Sequence, residues 1–184
     1  MVTGGTTTDE ALVERVRAGQ RQAFAELVGR YDERLRGLAW SMLGDVGRMD
    51  DALQDAYLKA YVGLAHFDGR SAIGTWLYRI VANACIDELR RGRRRPTPVD
   101  ATDHEHDRPV ERTGPDGLAA DADLATRVLH ALPGDQRATV VLVDGHGFDT
   151  RTAAEILGVA HGTVRSRLSR ARAHARRIIE EEQA

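Results

Sequence analysis

The chain predicts an all-α fold of two small helical domains, a four-helix N-terminal bundle and a C-terminal helix-turn-helix, joined by a flexible acidic linker. Apolar residues recur at spacings of three and four through most of residues 9–95 and again beyond 121. Between these stretches, residues 96–120 hold four prolines, six acidic residues against two arginines, and almost no large apolar side chains. Such a segment buries too little surface to fold alone. Near the end, Ala154, Gly158 and Val164 fall where two tightly crossed helices need a small residue, a turn glycine and a buried branched plug.

These signals divide the chain into a disordered N-terminus (1–8), a helical domain (9–95), a linker (96–120) and a second helical domain (121–184). Asp9 is placed to cap a first helix bearing Leu12, Val13 and Val16, which breaks near Gly19. One longer helix follows, with Phe24, Leu27, Val28, Tyr31, Leu35, Leu38, Ala39 and Met42 at helical spacing, ending near Gly44. Leu53, Tyr57, Ala60, Tyr61 and Leu64 mark a third. After a loop at 66–71, a fourth buries Ile73, Leu77, Ile80, Val81 and Ala84 and runs into Arg90–Arg95. In the second domain Leu124, Val128 and Leu132 give a short helix, and Pro133 opens the next, with Val140, Val141 and Val143.

With 42% hydrophobic and 29% charged residues, the 184-residue chain has apolar material for two modest helical cores. Formal net charge is -2, yet charge is segregated. Five arginines lie in Arg90–Arg95, and six, with no acidic residue, between His161 and Arg177. That pattern suggests weak DNA binding by the free chain and a second protein to complete the task. Cys85, the single cysteine, excludes an internal disulfide and a cysteine cluster for zinc. The polar N-terminus lacks an export signal and no apolar run approaches a membrane span, so the expected location is cytoplasmic, without direct membrane insertion.

Two constellations point to nucleic acid. In the last helix Val164, Leu168, Ala171, Ala175 and Ile178 form the apolar stripe, leaving Arg165, Ser166, Ser169 and Arg170 outward or at its flanks. Guanidinium forks and small hydroxyls on one helix suit a DNA major groove; a solvated basic helix is the plainer reading, which the upstream glycine turn disfavours. On the fourth helix Arg79, Asn83 and Arg90 share one face, with Trp76 at its border. An indole beside guanidinium and amide groups can stack on an unpaired base while its neighbours hold phosphate; taken alone, Trp76 fits a core position as well.

The run from Gly74 through Trp76, Arg79 and Asn83 to Arg91 resembles the promoter-melting, -10-reading segment of the extracytoplasmic-function (group IV) sigma-70 factors. Residues 51–60, Asp-Ala-Leu-Gln-Asp-Ala-Tyr-Leu-Lys-Ala, resemble the helix by which that family grips the polymerase clamp. Leu132-Pro-Gly-Asp-Gln-Arg137 and residues 157–172 resemble its -35-reading domain, and the segments stand in family order. The resemblance implies a bacterial factor that joins core RNA polymerase and directs promoter recognition, strand opening and transcription initiation. It implies that Asp51, Gln54, Asp55 and Leu58 meet the clamp helices, while the second domain engages the polymerase flap. Asp68, Gly69, Arg70, Ser71, Trp76, Arg79, Asn83 and Arg90 would serve the -10 element, where an extruded base is held by stacking and by hydrogen bonds to its edge. Arg165, Ser166, Ser169 and Arg170 would lie in the -35 groove. A cognate anti-sigma factor is the implied regulator, and the acidic linker would thread the RNA channel. No cofactor, metal, catalytic residue or small-molecule substrate is implied. Ala52 stands where the family often has leucine, implying a shallower clamp-binding surface. Thr150, Arg151 and Thr152, and Ser169 at the -35 face, also depart from its commoner residues.

Three features invite chemistry and are set aside. Cys85 reads as a small buried thiol rather than a redox sensor. His104 and His106, with Asp103, Glu105 and Asp107, read as solvated charge rather than a metal site. Asp50, Asp51 and Asp55 lack an identifiable partner base and read as a docking surface. A stand-alone helix-turn-helix regulator is the alternative function, predicting tight, polymerase-independent and salt-sensitive duplex binding. A protein adaptor is a third reading, and an enzyme the least supported.

Overall fold

The computed structural model describes residues 7–94 and 116–182, and every regular element among them is helical. The N-terminal residues 1–6 and most of the proposed linker lie outside the described residues.

Helix α1 (Asp9–Arg17) starts at the expected cap residue itself, so the cap falls one residue earlier. Thr8 is the N-cap, its hydroxyl accepting from Ala11 N–H at 3.3 Å. Asp9 instead accepts hydrogen bonds from the Tyr31 hydroxyl and, at 2.8 Å, from Arg30. This ties α1 to the junction between α2 (Arg21–Gly29) and α3 (Asp32–Leu43). That junction divides what periodicity reads as one long helix. Arg30 and Tyr31 N–H groups bond back three residues, to Leu27 and Val28, in a tight turn that barely disturbs the apolar phase. The N-terminal half therefore has five α-helices rather than four.

Asp45 caps α4 (Val46–Gly63), accepting from Arg48 N–H at 2.7 Å. The chain then makes a short 3₁₀ turn and enters α5 (Ile73–Arg94). One face of α5, with Ile73, Leu77, Val81 and Ala84, is buried against α3 and α4. Tyr78, Ala82 and Cys85, at spacings of four and three, are 3%, 0% and 0% exposed and continue through the partly buried Leu89. This second stripe meets the C-terminal half.

That half begins with α6 (Asp116–Ala131), whose backbone is helical five residues before the expected boundary at 121. Pro133 N-caps α7 (Gly134–Val140), which runs into one π-helical turn (Val141–Gly145). Then come α8 (Thr150–Leu157) and α9 (His161–Glu182), joined by a turn in which Gly158 adopts φ +64°, the left-handed cap that glycine tolerates best. Val164 and Ala171 on α9 are fully buried and Leu168 is nearly so, as their spacing predicts.

The two halves do not keep separate cores. α8 and α7 pack on α5, α6 and α7 reach α3, and one buried cluster runs from Leu12 to Val164. The buried Arg137 guanidinium crosses the junction. It donates to the Met42 carbonyl at 2.5 Å and, within its own half, to those of His130 and Leu132 at 2.5 and 3.3 Å. The last carbonyls of a helix have no intrahelical partner, so a cation from one half caps a helix of the other.

Leu142 is fully buried within this shared cluster. Leu142→Ala is expected to destabilise the chain by about 2–5 kcal/mol, read as a lower denaturant midpoint at unchanged m-value.

Candidate nucleic-acid interface

The outward face of α5 follows from its two buried stripes, which leave one arc of the helix for solvent. Asn83 and Arg90 are exposed there, and Arg79 is half-buried at the edge. Arg90 carries an exposed pair with Asp87 at 3.4 Å. Trp76 is half-buried and tilted against Phe67, with ring centroids 5.3 Å apart. The indole is therefore anchored by Phe67 and, on its other contacts, by the core beside Gly63, with part of the ring left accessible. Phe67 escaped sequence reasoning, although its place immediately before the loop marks it in retrospect.

The loop itself is folded by Asp68. Its carboxylate accepts from the Arg70 backbone N–H at 3.2 Å and from Arg70 Nε at 2.5 Å. These bonds hold the Asp68 carboxyl below its ordinary value. Gly69 and Arg70 are exposed and Ser71 is half-buried. The loop and Trp76 thus lie together, joined through Phe67.

On α4, Asp51, Gln54, Asp55 and Leu58 are all exposed along one stripe, with Leu58 at 61%. Val62, at 70%, extends the stripe by four residues. Gln54 and Leu58 also line a shallow groove of about 430 Å³ with Phe24, Tyr57 and Tyr61. Tyr61, expected to pack inside, is 39% exposed and meets Phe24 edge-on. Ala52 is 4% exposed and faces the core, so it does not shape this surface directly. The direction of its side chain, one residue beyond Asp51, accounts for the difference. An acidic stripe ending in accessible apolar side chains can receive a basic, partly apolar helical partner.

In the C-terminal half, Asp149 caps α8, accepting from Arg151 and Thr152 N–H groups at 2.8 and 3.0 Å. Those bonds depress its carboxyl pKa. Two of the residues that depart from the resemblance, Thr150 and Thr152, serve the motif internally. Thr152 donates its hydroxyl to Asp149 at 2.8 Å, and Thr150 Oγ1 lies 2.8 Å from His161 Nε2, linking the starts of α8 and α9.

Arg165, Ser166, Ser169 and Arg170 are exposed on α9. Arg170 is steadied along the helix, donating to the Ser166 carbonyl and hydroxyl at 3.3 Å each. Two other arginines turn to neighbouring elements: the half-buried Arg167 pairs with Asp135 at 3.2 Å, and the exposed Arg172 grips Asp144 through two bonds of 3.2 and 2.6 Å. Clamping α9 to α7 and the π-helical turn in this way fixes the orientation of the outward face. This division of labour escaped the sequence, where all six arginines look alike.

Cys85 is fully buried, and burial pushes its thiol up to about 12, which suits a packing role. Among the described residues no group of histidine, cysteine and carboxylate side chains is arranged to hold a metal, and no helix is long and apolar enough to cross a membrane. His104 and His106 lie outside the described residues.

Comparison with known proteins places the chain in a family. Residues 27–95 match Sigma-70 region 2, and residues 122–174 match Sigma-70, region 4. The chain is 40% identical over 173 residues to the ECF RNA polymerase sigma factor SigM of Mycobacterium tuberculosis, covering 94% of this chain and 85% of that protein. It is 38% identical over 174 residues to the ECF RNA polymerase sigma-E factor of Escherichia coli K12, covering 90% and 91%. Among solved structures, the sigma factor RpoE bound to the anti-sigma factor NepR, from Bartonella quintana, superposes with a TM-score of 0.66 at 27% identity, covering 85% of this chain and 96% of that one. The two-part helical fold and this likeness along nearly the whole chain lead to one conclusion: the protein belongs to the extracytoplasmic-function family of sigma-70 factors and is an RNA polymerase-associated, promoter-recognising sigma factor.

Proposed function

We propose that this sigma factor divides promoter recognition between its two halves, with α5 and its loop opening and holding the -10 element and α9 reading the -35 duplex. The observation that carries the reading is the exposure of two chemically different surfaces. α5 offers an anchored indole beside Arg79 and the accessible Asn83, suited to unstacked bases, whereas α9 offers guanidinium and hydroxyl groups on a rigid helix. Single-strand capture needs stacking and duplex reading needs a groove-sized rod, so each surface matches its own form of DNA.

Asp51, Gln54, Asp55 and Leu58, extended by Val62, form the stripe we assign to the polymerase clamp helices, with the flap meeting the C-terminal half. The partly apolar character of the stripe supports a protein partner rather than DNA, since its carboxylates would repel phosphate. The chain acts by binding, without catalysis of its own, in the cytoplasm where polymerase works. A cognate anti-sigma factor is proposed by analogy with the Bartonella relative, which was solved with one.

Run-off transcription with core polymerase and pooled genomic promoters is expected to give discrete starts sharing two upstream elements. Absence of new starts despite polymerase binding would count against the proposal, and tight duplex binding without polymerase would favour a stand-alone regulator. Arg165→Ala is expected to cost ~1–3 kcal/mol in -35 duplex recognition by the holoenzyme, measured by competition between promoter variants. Leu58→Asp is expected to weaken core polymerase binding, measured by fluorescence anisotropy, while the chain keeps its thermal midpoint because the side chain is already in water.

A further inference from the structure

The junction between the two halves carries two half-buried histidines of the C-terminal half, His130 and His146. His130, on α6, faces the Ser41 backbone near the end of α3, and its ring presses on Gly44. A Cβ at Gly44 would lie 2.0 Å from His130 Cε1, and Gly44 has φ +66°, so this approach depends on glycine. Arg137 caps the same helix end through Met42. Some distance along the junction, His146 Nδ1 lies 3.1 Å from the hydroxyl of Tyr78 on α5. His146 and Phe148 both pack edge-on against the Tyr78 ring, at centroid distances of 5.4 and 4.8 Å. Tyr78 is 3% exposed, so this clasp is a packed contact.

We propose that these contacts form an acid-released latch: the two halves stay closed while His130 and His146 are neutral and separate when both take up protons. The surroundings of each ring favour the neutral form. Arg34 on α3 acts on His146, and Arg137 on α7 acts on His130. Tyr78 stays un-ionised, its hydroxyl pushed up by burial. Asp144, close to His146 in sequence, is occupied by Arg172 of α9.

Burial and those guanidinium groups lower both histidines below their ordinary value, outweighing for His130 the opposing influence of the Ser41 backbone. An open form, with the rings in water, binds the protons more readily. The closed form therefore has its full stability above about pH 6.5, the ordinary imidazole value, and loses it as pH falls toward the depressed values.

Closure acts through span rather than by covering the reading residues, of which Asn83, Arg90, Arg165 and Arg170 remain exposed. The -10 and -35 elements are separated by about 25 base pairs, or roughly 85 Å at ~3.4 Å per pair. Here α8 packs on both α5 and α9, which brings the two reading helices within a few helix diameters of ~10 Å. Opening would be required to engage both elements. This consequence rests on the sigma-factor reading, whereas the latch is a property of the free chain and is tested without polymerase or DNA.

Small-angle scattering and circular dichroism of the full chain at pH 7.5 and 5.5 provide the test, beside the double variant His130→Gln/His146→Gln. At pH 7.5 the wild type should be compact, near the ~16 Å radius of gyration of a folded chain this long. At pH 5.5 it should expand with its helical signal retained, while the double variant, whose amides remain neutral, stays compact. Three results overturn the latch: a wild type compact at both pH values, equal expansion of the variant, or loss of helix together with expansion. Should the double variant fail to fold, His146→Gln alone decides, since it must make the wild-type expansion shallower with pH; an unchanged profile overturns the proposal.

Discussion

Helix α5 must satisfy three environments at once, and the rest of the structure is arranged around that constraint. One face packs on α3 and α4, a second, with Tyr78, Ala82 and Cys85, is buried by the C-terminal half, and the remaining arc stays in solvent as the surface proposed for nucleic acid. Burial of two stripes fixes the helix in rotation, so the directions of Asn83 and Arg90 are determined by residues they do not touch. The same constraint explains Cys85: a small, un-ionised thiol fits where two packed elements converge.

Charge is managed in a comparable way. The net formal charge of -2 looks unsuited to DNA, but the balance is local. Asp135 and Asp144 consume Arg167 and Arg172 in holding α9 down, leaving Arg165 and Arg170 on the accessible side. Carboxylates therefore contribute orientation to the basic helix, and they lower the non-specific attraction that an unpaired row of arginines would create. The acidic stripe on α4 is separated from this surface by sequence and by chemistry, as the proposed division between a protein partner and a nucleic acid requires.

Much of this was legible in the residues because local periodicity is strong. The stripes of α4, α5 and α9, the glycine turn at 158 and the accessible residues on α9 all follow from spacings of three and four. The break at Arg30 and Tyr31 was not, since a tight turn preserves apolar phase and carries neither proline nor a strong cap. Thr8 displaced Asp9 as the cap because Asp9 finds tertiary partners in Tyr31 and Arg30. The joining of the two cores was hidden for a related reason. Cys85 alone stood out at the edge of one apolar face, and only the arrival of α7 and α8 makes Tyr78, Ala82, Cys85 and Leu89 a second one. Long-range pairs such as Arg172 with Asp144, or Arg137 with the Met42 carbonyl, have no local signature at all.

The central claim is that α5 presents a surface for unpaired DNA whose chemistry is separable from the duplex-reading surface of α9. Permanganate probing of thymines in a promoter bound by polymerase carrying this sigma factor tests it most directly, with wild type beside Asn83→Ala. The account predicts reactive thymines in the -10 element with the wild type, and their loss or weakening in the variant while protection of the -35 element persists. Undiminished reactivity in the variant, or loss of both signals together, would contradict it.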